Sequence, residues 1–95
     1  RKMKMMALSD GFITLPGGLG SMEELFEVFT WRILGQHKKP LGILNVDSFY
    51  QHLLNMLDYM VTSGFVKAES MELLSVHHSP EGLLKLMQQK REPIS

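Results

Sequence analysis

The residues of this chain best suited to chemistry stand together in Gly17-Gly18-Leu19-Gly20-Ser21-Met22-Glu23-Glu24. Glycines without a Cβ let an anion reach the backbone. The free N–H groups of a first helical turn, at the positive end of the helix dipole, then point at it. The Ser21 hydroxyl can bind the same anion, and Glu24 offers a carboxylate one helical turn further on. Ser21 and Glu24 also fit S-x-x-E, the capping box, in which both side chains only satisfy backbone N–H groups. The residues by themselves leave both readings open.

Positioning such a loop requires a strand before it and a helix after it. Phe12 to Leu15 are nearly all apolar, as in a strand buried on both faces of a parallel sheet, and Pro16 stops its ladder. A helix from about Met22 to Leu34 carries Met22, Leu25, Phe26, Phe29 and Ile33 on one face. A second stripe, Val28, Trp31 and Leu34, lies beside it, and a surface that wide predicts a second covering element or subunit. His37 to Pro40 form a polar connection. Leu41 to Val46 read as the next strand, with Asp47 capping a helix that runs to about Ser63. Its apolar face is Tyr50, Leu53, Leu54, Leu57 and Val61, and Gly64 stops it. A strand near Leu73–Val76, a Ser79-Pro80 cap and a helix from Glu81 to about Lys90 follow. Residues 1–9, with Met3, Met5, Met6 and Leu8 among basic residues, suit the tail of a helix. The alternation predicts an α/β fold: a Rossmann-like parallel sheet flanked by helices in three layers, αβα, forming a single domain over residues 1–95.

Ten basic and ten acidic residues balance, which gives no electrostatic case for nucleic acid or a membrane surface. No apolar run approaches the ~20 residues of a membrane span. Without cysteine there is neither a disulfide framework nor a zinc cluster, and the expectation is a cytoplasmic protein. His37, His52, His77 and His78 lack metal-ligand spacing with acidic neighbours and read as surface or core residues, so no metal is expected.

The loop is neither G-x-G-x-x-G nor a P-loop, which needs a lysine. It resembles PGG-x-G-[ST]-x-EE of the LOG family, the cytokinin riboside 5′-monophosphate phosphoribohydrolases often labelled "lysine decarboxylase". Here it reads Pro16-Gly17-Gly18-Leu19-Gly20-Ser21-Met22-Glu23-Glu24, with serine for the commoner threonine. The family's Arg-Lys pair is matched by Arg1-Lys2, and the resemblance runs on through Trp31, Leu34-Gly35, Lys39-Pro40 and Leu44-Asn45-Val46-Asp47 to Gly64-Phe65. It implies hydrolysis of the N-glycosidic bond of an N6-modified adenosine 5′-monophosphate to free base and ribose 5-phosphate. Arg1 and Glu24 would be catalytic, and Lys2, Gly17, Gly18, Leu19, Gly20, Ser21 and Met22 would bind the phosphate and nucleotide. It also implies a homodimer, here through the helix bearing Val28 and Trp31, and a chain corresponding to the C-terminal portion of the family's fold. No cofactor is expected: pyridoxal chemistry needs a Schiff-base lysine with a partner for the ring nitrogen, and no such pair is evident. The alternative is a nucleotide-binding or interaction module of the same superfamily without turnover.

Overall fold

The structure, a computed structural model, describes residues 5–8 and 11–90. Among the described residues four strands form one sheet in the order β1-β2-β3-β4: β1 (Met5–Leu8), β2 (Gly11–Thr14), β3 (Leu41–Leu44) and β4 (Leu74–His77). β2, β3 and β4 run parallel, with Phe12 opposite Leu41 and Leu41 opposite Leu74. β1 lies antiparallel on β2, pairing Met5 with Thr14 and Leu8 with Gly11. For Met5–Leu8 this corrects the helical tail expected over residues 1–9, the rest of which lies outside the described residues. The edge of β2 offers N–H and C=O groups that accept a partner strand.

The helices are α1 (Leu19–Ile33), α2 (Gln51–Thr62), the single turn α3 (Ala68–Met71) and α4 (Pro80–Gln89). The pleat sorts them into layers. Phe12, Leu41, Ile43, Leu74 and Val76 pack with Leu25, Val28 and Phe29 of α1 and Leu57 of α2. Ile13 and Leu44, on the opposite face, pack with Leu83 and Met87 of α4. The architecture is therefore three-layered, α1 and α2 on one side and α4 on the other, a Rossmann-like α/β arrangement. Leu41, Ile43 and Leu83 are 1 %, 0 % and 0 % exposed, each worth about 2 kcal/mol of transfer free energy. Gly42 faces α4, and a Cβ there would stand 2.6 Å from the Met87 sulfur, so α4 rests directly on the β3 backbone.

Several local expectations change. The core stripe of α1 is Ser21, Leu25, Val28 and Phe29, while Phe26 and Ile33 face outward at 39 % and 45 % exposure. Val28 therefore belongs to the interior and not to a second, partner-facing stripe. Asp47 does not cap α2. It sits at φ 51 in a 3-10 turn over Val46–Ser48, and Ser48 follows at φ 59. Tyr50 stands at the N-cap instead, its N–H held by Asn45 Oδ1 at 2.7 Å. Gly35 and Gly64, at φ +80 and +87, end α1 and α2 as left-handed stops. Ser79 caps α4 as expected, accepting from the Gly82 N–H at 3.1 Å, with Pro80 at the first helical position.

Candidate functional site

α1 begins at Leu19, three residues ahead of the expected start, so Gly18 is the N-cap and no side chain caps the helix. Gly18, at φ −112 and ψ −142, ends the turn, and the helix starts at the next residue. Ser21 and Glu24 lie inside the helix and cannot form the S-x-x-E box. The Met22 N–H is already donated to the Gly18 carbonyl at 3.2 Å. The donors left open by helix geometry are those of Leu19, Gly20 and Ser21. A Cβ on Gly18 would meet nothing within 4 Å, so the turn is open on that side.

Beneath the loop the polar groups are buried. Ser21 is 0 % exposed and Thr14, which ends β2, is 1 % exposed. The hydroxyl oxygens of both, and Oε1 of Glu24, are buried with no hydrogen-bond partner of good geometry among the described residues. Ser21, Glu24, Leu25 and Val28 share one face of α1, the face turned to the sheet. Glu23 points outward and is exposed. A buried carboxylate oxygen without a partner is costly, of order 1–3 kcal/mol or more, and such groups concentrate where a ligand supplies the missing bond.

The sequence reading missed Tyr50, placed there only on an apolar helix face. Tyr50 is 3 % exposed, and its hydroxyl donates to the Leu15 carbonyl at 2.6 Å. Burial raises its pKa, partly offset by the Gly17 N–H and the Ser21 hydroxyl beside it. The available signal was the residue type: a tyrosine inside an apolar stripe must find a partner for its hydroxyl. Arg1 and Lys2 lie outside the described residues. Gly17 to Met22 and Glu24 come together as one strand–turn–helix unit at the carboxyl end of β2, where parallel α/β sheets hold ligands.

The histidines have other duties. His37 Nδ1 accepts from the Lys39 N–H at 3.1 Å, so its Nε2–H donates to the Val28 carbonyl at 3.0 Å and fastens the α1–β3 connection to the helix. His77 and His78 stack at 4.5 Å beside an open depression between Asn45–Ser48 and Val76–His78. Among the described residues no group of three or more acidic, histidine or cysteine side chains is arranged to hold a metal, and no described helix is long and apolar enough to cross a membrane.

Fold and loop together define an α/β protein with a glycine-rich turn at the end of a parallel strand. Comparison with known sequences gives the family. The profile of the family described as "Possible lysine decarboxylase" matches residues 1–87. The cytokinin riboside 5′-monophosphate phosphoribohydrolase LOG of Oryza sativa subsp. japonica is 47 % identical over 87 residues, covering 90 % of this chain and 36 % of that protein. Arabidopsis thaliana LOG3, of the same description, is 44 % identical over 89 residues, covering 94 % and 41 %. The chain belongs to this lysine-decarboxylase-like, LOG-containing family. It spans about two fifths of the length of the relatives it matches.

Proposed function

We propose that this chain forms the phosphate- and sugar-facing part of a phosphoribohydrolase acting on an N6-modified adenosine 5′-monophosphate, a cytokinin nucleotide. The reading is carried by one observation: Glu24 Oε1, buried and without a partner among the described residues, lies just beyond the open N–H groups at the start of α1. With the 5′-phosphate on Leu19, Gly20 and Ser21, the ribose falls toward Glu24. Cleavage of the N-glycosidic bond builds positive charge on the sugar, and a fixed carboxylate stabilises that charge and orients water onto the anomeric carbon. Free base and ribose 5-phosphate result. Arg1 belongs to this reading as the group orienting Glu24 or the leaving base, and Lys2 as a further phosphate ligand.

The direct test is incubation with isopentenyladenosine monophosphate and chromatography for free base. It uses the purified chain beside a chimera in which the upstream portion of rice LOG precedes it. Release is expected from the chimera and not from the 95 residues alone, because a Rossmann-like crevice needs two neighbouring strand ends and their loops. Phosphate binding without release by the chimera would reduce the chain to a nucleotide-binding module.

Self-association is part of the proposal. On α1 and its C-cap, Trp31 is 44 % and Leu34 65 % exposed, an apolar patch that a second copy would cover. Trp31→Glu should shift the sedimentation coefficient to that of a monomer, and an unmutated chain that already sediments as one would end this part. A cytoplasmic location goes with the same reading.

A further inference from the structure

We infer that Tyr50 is a positioning residue for the phosphate loop, and that Asn45 holds it in place. The inference rests on the phosphate reading of that loop and assigns a role to residues some thirty positions downstream of it. The loop has few anchors of its own. After Thr14 the chain leaves the ladder, Pro16 has no N–H to give, and Gly17 and Gly18 carry no side chains. What fixes it comes from the next βα unit. The Tyr50 hydroxyl donates to the Leu15 carbonyl at 2.6 Å, and the Gly17 N–H and Ser21 hydroxyl are near enough to the phenol to act on its pKa. One phenol thus gathers the last residue before the turn, the turn itself and the first turn of α1.

The orientation that follows matters for anion binding. With the Leu15 carbonyl turned inward onto Tyr50, the N–H groups of Leu19, Gly20 and Ser21 are presented outward as a set. Without the phenol, the glycines are free to rotate and the donors lose their common focus. Tyr50 is itself fixed from β3. Its N–H is held by Asn45 Oδ1 at 2.7 Å, across a turn whose Asp47 and Ser48 both stand at positive φ. Those two residues accept a conformation rare for side-chain-bearing residues, and the turn they make brings Tyr50 back over the sheet end. Phe49, packed edge-on to the Tyr50 ring at 4.8 Å, closes the outer side.

The experiment uses the 95-residue chain and two independent readouts by NMR: amide hydrogen exchange across Gly17–Ser21 without ligand, and titration with inorganic phosphate. Tyr50→Phe keeps the ring and deletes one oxygen. It should speed exchange at Gly17 and weaken phosphate binding about fivefold to tenfold, the scale of one lost hydrogen bond, while exchange in β3 and β4 stays as it was. Asn45→Ala should reproduce the effect, and Asn45→Asp, which keeps an acceptor for the Tyr50 N–H, should restore it. Unchanged Gly17 exchange in Tyr50→Phe overturns the inference. An unmutated chain whose loop amides ignore phosphate overturns the phosphate reading instead, and Gly17 exchange still decides whether Tyr50 orders the loop.

Discussion

The ring of His77 fills the space that a side chain on Gly82 would need. His77 is the last residue of β4 and Gly82 lies in the first turn of α4, and Ser79 binds both: its N–H donates to His77 Nδ1 at 3.0 Å and its hydroxyl accepts from Gly82. Intrinsic helix propensity favours alanine over glycine by up to about 1 kcal/mol. Here the clash outweighs it, because the obstacle is a ring fixed by its own hydrogen bond. Gly82→Ala should lose about 1–2 kcal/mol in urea unfolding, and a variant as stable as the parent would show that His77 swings aside freely.

Ser48 gives a prediction of opposite sign. At φ 59 its side chain bears a left-handed conformation costing about 1 kcal/mol, which glycine avoids at the expense of a more flexible unfolded chain. Ser48→Gly should therefore raise the urea midpoint slightly, by the equivalent of about 0.5 kcal/mol. A clear fall would mean that the serine side chain makes a stabilising contact worth more than the strain.

Glu24→Gln separates chemistry from stability. Glu24 caps nothing, and its buried Oε1 has no partner among the described residues. Removing the charge should leave the melting temperature within a few degrees, on the ~1 kcal/mol scale of ordinary substitutions. In the chimera with rice LOG the release of base should fall by orders of magnitude. Retained turnover would return Glu24 to a structural role.

Tyr50 predicts alkaline sensitivity. Burial raises its pKa above the ordinary 10.0, with the Gly17 N–H and Ser21 hydroxyl pulling the other way. The folded chain keeps the proton at pH values where the unfolded chain has lost it. That contribution is whole below the ordinary value and is lost as the pH climbs from there through the folded-state pKa. Urea midpoints should fall above about pH 10, and the fall should be shallower in Tyr50→Phe. Identical slopes would exclude a linked phenol.

What was legible in the sequence was local. Gly64 at the end of α2 and Ser79-Pro80 at the start of α4 act through their own backbones, and both stand where their types put them. The parallel arrangement of β2, β3 and β4 followed from the alternation of apolar runs and helical periods. What escaped depended on distant partners. Phe26 and Ile33 match the apolar period as well as Val28 does, and the sheet's position decides that Val28 goes inside. Ser21 looks like a cap because the helix start cannot be seen through three glycines that fit a loop or a helical turn equally well. The Tyr50–Leu15 bond spans 35 positions, and no window of periodicity contains it.

The sheet order β1-β2-β3-β4 repeats the order of the strands along the chain. Each strand is added beside the one made just before it, and none must wait for a later strand to fill a gap between earlier ones. The two parallel closures, over residues 15–40 and 45–73, join strands that follow one another in the chain, so the entropic cost of each is smaller than in an order that skips a strand. Such a chain can build its sheet in the direction of synthesis. Among the described residues the glycine turn and β2 precede Tyr50 in the chain, so the phenol that ties the turn down is added after it.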